Sequence, residues 1–128
     1  MNFSPLLEFA ISSAINRFQE NYNNYLKNLK EIDVSQGLVV WGTGSIGTQY
    51  AVDASWSDSD VSYVDINESA HGLVLSSTGH EVLDPKVIKK IKPKNILIAS
   101  AWENDVKKQL EPFCLGNERI LTFSDLLS

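Results

Sequence analysis

Cysteine is nearly absent from this chain. Cys114 is the only one among 128 residues, which excludes a disulfide within the chain and any cysteine-based metal cluster. Its neighbours Phe113 and Leu115 make a packed thiol the expectation rather than a reactive one. Histidine is almost as scarce, with His71 and His80 alone, so no metal site is expected. Positive charge is short too: 11 Lys and Arg stand against 16 Asp and Glu, the net charge is −5, and the arginines are Arg17 and Arg119. Nucleic-acid binders need a basic patch, so no nucleic-acid partner is expected. The cluster Lys86, Lys89, Lys90, Lys92 and Lys94 reads as the solvated face of a surface helix. No apolar run approaches the roughly 18 residues of a membrane span, and Met1 to Pro5 shows no basic region ahead of an apolar stretch. A cytoplasmic protein with no membrane partner is the expectation.

With 43% apolar and 21% charged residues, the chain has the make-up of one globular domain with a proper core. Residues 1–34 read as an N-terminal helix and 35–128 as the folded domain. Ser4 is the expected N-cap of a helix over 4–31, with Pro5 at its first position and Glu8 in its first turn. Leu7, Ile11, Ala14, Ile15, Phe18, Tyr22, Tyr25, Leu26 and Leu29 recur at three and four residues and form one apolar stripe. Such a helix is about 40 Å long, more than one face of a small domain needs. Two readings stay open. It folds wholly back onto the domain, or it is a packing or dimerisation arm for a second copy or a partner enzyme. Asn21, Asn23, Asn24 and Asn28 weaken its second half as a free-standing helix.

From Gly37 onward strands and helices alternate. The stretch Gly37 to Gly47 reads as a buried strand over 38–42 running into Gly42-Thr43-Gly44-Ser45-Ile46-Gly47, with a helix over 45–55. A polar turn is expected at 57–60 and a second strand at 61–66. The unit from Gly37 to Ile66 has the length of a βαβ element. Residues 67–79 read as a loop in which 73–75 could pair as a short edge strand. A third strand is expected at 80–83, then a helix from the Asp84 cap and Pro85 to Lys92, a buried strand at 95–100, a helix from 102 or 103 to 113, a strand at 119–123 and a terminal turn at 124–127. These lengths and this alternation mean an α/β fold: a doubly wound parallel sheet of about five strands, order near 3-2-1-4-5, behind a long N-terminal helix.

In such a sheet a ligand lies outside the carboxyl ends of the strands, where strand order reverses. That rule selects three segments as cofactor-binding. In the turn Gly42 to Gly47, Gly42 permits the tight bend, Gly44 lets a pyrophosphate approach the backbone, and Gly47 lets the helix pack close. Thr43 and Ser45 offer hydroxyl donors, and Ile46 opens the helix. Asp65, 18 residues beyond Gly47 and followed by Ile66, stands where a carboxylate accepts from ribose hydroxyls. The alternative is that Asp65 caps the strand and bonds the loop over 67–70. Ala99 and Ser100, small residues at the end of a later strand, leave room for a ligand. A carboxylate at Asp65 favours NAD over NADP, since no arginine lies near it in sequence. An S-adenosylmethionine site usually has an acid two residues before the first glycine, and Val40 is there instead. Catalytic residues are not identifiable: the G-x-S-x-G spacing is absent, and His71, His80 and Asp84 fall in no recognisable triad order. Trp41, just before the first glycine, would either crowd a nucleotide or stack on it.

The run Val39 to Gly47, then Tyr63-Val64-Asp65-Ile66-Asn67, Gly72, Gly79 to Pro85, Asn95 to Trp102 and Asp105 to Leu110 resembles small Rossmann-like domains of nucleotide-sugar and polysaccharide metabolism. It looks like the C-terminal domain of sugar C-methyltransferases and the CoA-binding-type domain of nucleotide-sugar epimerases and dehydratases. The resemblance covers about two thirds of the chain. It implies a nucleotide or nucleotide-sugar ligand, with CoA and S-adenosylmethionine as further candidates, and supplies no catalytic residue. The leading expectation is a binding module for NAD or a nucleotide-sugar in sugar or polysaccharide metabolism. The alternatives are a small NAD-dependent oxidoreductase or sugar-modifying transferase with a site completed across a dimer interface, and a structural adaptor that binds nothing.

Overall fold

A computed structural model describes residues 4–56, 60–76 and 78–128. Residues 1–3, read above for a leader, and 57–59 of the expected polar turn lie outside the described residues. Helix α1 (Pro5–Glu31) begins as its sequence dictates, with the Ser4 hydroxyl accepting from the Leu7 amide at 3.2 Å. Strand β1 (Leu38–Trp41), helix α2 (Ser45–Ala54) and strand β2 (Val61–Val64) follow. Then come β3 (Val82–Leu83), α3 (Ile88–Ile91), β4 (Asn95–Ile98), α4 (Glu103–Leu110), β5 (Arg119–Leu121) and α5 (Phe123–Leu126). The strands form one parallel sheet in the order β3-β2-β1-β4-β5, with Val40 level with Tyr63 on one side and Leu97 on the other. This is the doubly wound, Rossmann-like arrangement the alternation demands.

Both sheet faces are covered, which is why β1 and β4 are buried at every position rather than alternating, and apolar throughout except at Asn95. On one face Leu38, Val40, Tyr63 and Leu97 meet Tyr25 and Leu29 of α1, Tyr50 and Ala51 of α2, and Leu126 of α5. On the other, Val39, Trp41, Val64, Ile96 and Ile98 meet Ile88, Val106 and Leu110. Trp41 therefore neither crowds nor stacks on anything at the glycine turn. Its ring is turned into the core on the face away from α2, 3% exposed and 5.7 Å from the ring of Phe113.

Several boundaries differ from the sequence reading, each for a local reason. The second strand stops at Val64, which leaves Asp65 and Ile66 on the following loop. Only residues 82–83 of the expected third strand pair in the sheet, and 73–75 contribute one antiparallel bridge, Val74 to Glu81, rather than an edge strand. The helix after Asp84 is a 3-10 turn, Pro85–Val87, followed by α3, and it ends where Lys92 turns left-handed. Helix α4 stops at Leu110 because Pro112 lacks the N–H needed to continue, and a 3-10 turn, Glu111–Phe113, takes over. The last strand ends at Leu121 because Thr122 caps α5: its hydroxyl accepts from the Asp125 amide while Asp125 accepts from the Thr122 amide.

Helix α1 divides in two. Tyr25 and Leu29 are 5% and 0% exposed, and the Tyr25 hydroxyl donates to Asp53 of α2 at 2.6 Å. The asparagines that weaken this half as a free helix anchor it instead: Asn28 donates to the Leu126 and Ser128 carbonyls at 2.9 Å and Asn24 to that of Leu127 at 3.3 Å. From Pro5 to Glu20, by contrast, every residue is exposed except half-buried Ser13. Replacing Leu29 with Ala should therefore cost about 2–5 kcal/mol in urea unfolding. Phe9→Ala, in the free half, should change stability by less than about 0.5 kcal/mol.

Candidate functional site

The three glycines of the turn do different work. Gly42 sits at φ +107°, and a Cβ there would lie 2.8 Å from the Ala99 carbonyl oxygen. Gly47 faces the Gly42 carbonyl so closely that a Cβ would overlap its oxygen. Gly44 is under neither constraint: its φ of −73° suits any residue, and a Cβ would meet nothing within 4 Å. The fold thus requires Gly42 and Gly47, while the backbone at Gly44 lies open to the outside. Gly44 is also the N-cap of α2, with no side-chain cap and no acid in the first turn. The first N–H groups of α2 have no helical acceptor, and no acid in its own first turn faces the positive end of its dipole.

Thr43 and Asp65 are joined. The Thr43 amide and hydroxyl both donate to Asp65 Oδ2, at 3.2 and 2.8 Å, across the gap between β1 and β2. Asp65 Oδ1 accepts from the Asn67 amide at 2.9 Å, so the carboxylate also braces the loop that follows. The Asp65 carbonyl lies 2.6 Å from His71 Nε2; a carbonyl only accepts, so that nitrogen carries the proton. A carboxylate has about four acceptor positions, and three are engaged here.

The remaining candidates surround this pair. Ala99 is 7% exposed and lies directly under Gly42 and Gly47, where its small side chain permits the close approach. Ser100 accepts from the Trp102 amide at 3.0 Å, which turns the chain outward after β4. Ser45 is exposed, Ile46 is half-buried against the α1 face of the core, and Ile66 is 46% exposed just beyond β2. The segments carrying Gly42 to Gly47, Asp65 and Ala99-Ser100 thus all follow the carboxyl ends of adjacent strands.

A cavity of about 630 Å³ lies not over Asp65 but between α1 and α2, and it reaches the turn at Ser45 and Ile46. Phe18, Tyr22, Tyr25, Tyr50 and Phe123 give it aromatic walls, and Gln49 donates to Asp53 at 2.8 Å along one side. The sequence does not reveal this cavity, because Phe18, Tyr22 and Tyr25 sit in the helical stripe, whose spacing reads as packing. The sequence reading also passes over Trp102, which is 74% exposed beyond the carboxyl end of β4. A large aromatic right after Ala99-Ser100-Ala101 was the available signal.

The two histidines lie apart, each with its own contact. His71 is committed to the Asp65 carbonyl, while His80 packs 5.1 Å from the ring of Tyr63. Burial pushes the Tyr63 hydroxyl up to about 12. Burial, and then the nearby Glu118, push the Cys114 thiol up to about 11. Among the described residues no three acidic, histidine or cysteine side chains are grouped to hold a metal ion, and no helix is long and apolar enough to cross a membrane.

No protein-family model matches the sequence, and neither does any curated protein. Among solved structures, a UDP-D-quinovosamine 4-dehydrogenase from Vibrio fischeri is similar at 20% identity and TM-score 0.49, over 68% of this chain and 76% of that one. RSP, a Rex-family repressor, is similar at 16% identity and TM-score 0.46, over 70% of this chain and 54% of its own. RSP in complex with beta-NADH gives 16% and 0.46, over 67% and 52%. The chain spans about half the length of the RSP chains. Likeness at this level says nothing of ligand or activity in this chain.

Two outcomes follow from the site geometry. Gly47→Ser should lower stability by about 1–3 kcal/mol through overpacking. Gly44→Ser should leave it unchanged or raise it by a few tenths of a kcal/mol, because serine is a good N-cap. Parallel urea melts compare the two. Cys114 in the native protein should react negligibly with a thiol reagent near pH 7.5, its rate climbing only as the pH approaches 11, since the thiolate is the attacking form.

Proposed function

We propose that this chain is a small nucleotide-binding module whose ligand is NAD or a nucleotide-sugar. In this reading residues 1–34 serve as the arm and 35–128 as the binding domain. The observation that carries the proposal is Gly44: packing accounts for the other two glycines, whereas Gly44 meets no packing demand and its bare backbone at the start of α2 suits the approach of a ligand. There the N–H groups of Gly44, Ser45 and Ile46 would hold a pyrophosphate. Asp65, through its remaining acceptor position, would take a ribose hydroxyl, and Ala99 and Ser100 would leave space beside it. A 2′-phosphate would be repelled by Asp65, and neither Arg17 in α1 nor Arg119 at the start of β5 is on the Asp65 loop to offset it, which favours NAD over NADP. S-adenosylmethionine is disfavoured because Val40 is a core residue. The resemblance of residues 37–123 supports a role in sugar or polysaccharide metabolism, exercised in the cytoplasm with a partner enzyme or as a homodimer.

One observation favours a second reading, the adaptor that binds nothing. Thr43 already occupies Asp65, so the turn is self-sufficient without a ligand. Thermal shift with NAD, NADP, CoA, S-adenosylmethionine and UDP-sugars separates the two. A ligand at 100 times Kd stabilises by about 2.7 kcal/mol, and NAD or a UDP-sugar should raise Tm accordingly. Asp65→Ala should weaken the shift, and Gly44→Val should abolish it while the circular dichroism spectrum is preserved. If none of these compounds moves Tm, the adaptor reading stands and the binding module falls.

A further inference from the structure

The free half of α1 carries an apolar surface that the described residues leave exposed. Phe18 and Ile15 are 73% and 58% exposed, and Leu7, Ile11 and Tyr22 are between 42% and 46%. The helix ends near the start of β1 and passes α2 and Phe123 at Phe18 and Tyr22, so the free half extends beyond the carboxyl edge of the sheet.

The spacing of this stripe is symmetric. Leu7, Ile11, Ala14, Ile15, Phe18 and Tyr22 read the same in either direction about a point between Ala14 and Ile15. We infer that α1 pairs antiparallel with α1 of a second copy of this chain, centred on that point, so that Leu7 meets Tyr22, Ile11 meets Phe18 and Ala14 meets Ile15. A two-fold pair is self-complementary by construction, and a symmetric stripe is what it requires. Arg17 and Glu20 project away from the stripe and Glu8 lies at its flank, so the seam desolvates no charge. The stripe lays two large aromatics and three large aliphatic side chains along one seam, the apolar anchors that a stable interface is built on. A lipid surface fits less well: interfacial helices carry Lys and Arg along the polar face, and this half has Arg17 alone against Glu8 and Glu20. Leu6 and Phe9 lie on the other side of the helix and stay outside the seam.

Pairing of this kind also closes the outer wall of the aromatic cavity, because Phe18 and Tyr22 belong to both. The inference rests on the homodimer part of the function proposed above, yet its test uses no ligand, so a failure to pair and a failure to bind nucleotide are read separately.

Sedimentation equilibrium at micromolar concentration should return twice the 14.2 kDa chain mass. Ile15→Glu sets two like charges at the centre of the seam and should return the monomer mass, with an unchanged circular dichroism spectrum. In a Cys114→Ser background, Ile11→Cys and Phe18→Cys proteins mixed and oxidised should form a disulfide with each other and not with themselves. A monomeric parent protein, an Ile15→Glu protein that stays dimeric, or cysteines that cross-link each to its own kind would overturn the antiparallel pair.

Discussion

The fold turns on one close approach, that of Gly47 in the first turn of α2 to the carbonyl of Gly42 just after β1, with Ala99, just after β4, beneath both. A methyl group added at Gly42 would run into the Ala99 carbonyl, and one at Gly47 would push α2 off the sheet. Tyr50 and Ala51, one turn further along, would then lose their places in the core, and the Tyr50 hydroxyl would lose the Ile98 carbonyl, to which it donates at 3.1 Å. Asp53 would move away from Tyr25, and α1 with it. Because α2 begins so close to the strand ends, its unpaired N–H groups sit at the edge of the sheet where three loops meet. The packing constraint and the candidate binding site are thus two consequences of the same geometry.

The bond between Thr43 and Asp65 gives this edge a second character. It closes the β1 turn onto the β2 loop without help from a ligand, and the Asn67 amide and the His71 contact extend the brace. A preorganised turn loses little freedom when an anion docks on it, which favours binding. The same bonds leave Asp65 one acceptor position for a ribose. Under the proposed function, pyrophosphate recognition would rest on backbone groups that the fold already exposes, and ribose recognition on a carboxylate that is largely engaged.

Helix α1 shows how one uninterrupted periodic pattern can serve two environments. Leu29 and Tyr25 complete the core on the face shared with α2, and Asn24 and Asn28 reach the carbonyls at the chain's last residues. Toward its N-terminus the stripe continues with the same spacing and leaves the sheet behind. Apolar spacing reports only that a face is buried against something; it does not say whether that something belongs to the same chain.

How much was legible in the sequence follows from which features are local. The order of strands and helices, the glycine turn, the Ser4 cap and the parallel sheet order all follow from side-chain periodicity, capping chemistry and the handedness of crossovers, which a short window of residues carries. The three segments of the candidate site were legible for the same reason, since each directly follows a strand. What only the tertiary structure decided involves groups far apart in sequence. Thr43 meets Asp65 across 22 residues; Trp41 is assigned to the face of Phe113; and α1 divides into a docked and a free half. A strand's pleat says that neighbouring side chains point to opposite faces, but which face receives α2 and which receives α4 is set when the crossovers pack. Residues 37 to 47 by themselves therefore determined that a tight, glycine-lined turn would form. Its contacts with Ala99 and Asp65, made only once the sheet is assembled, decided which glycines the fold needs and which one it leaves open.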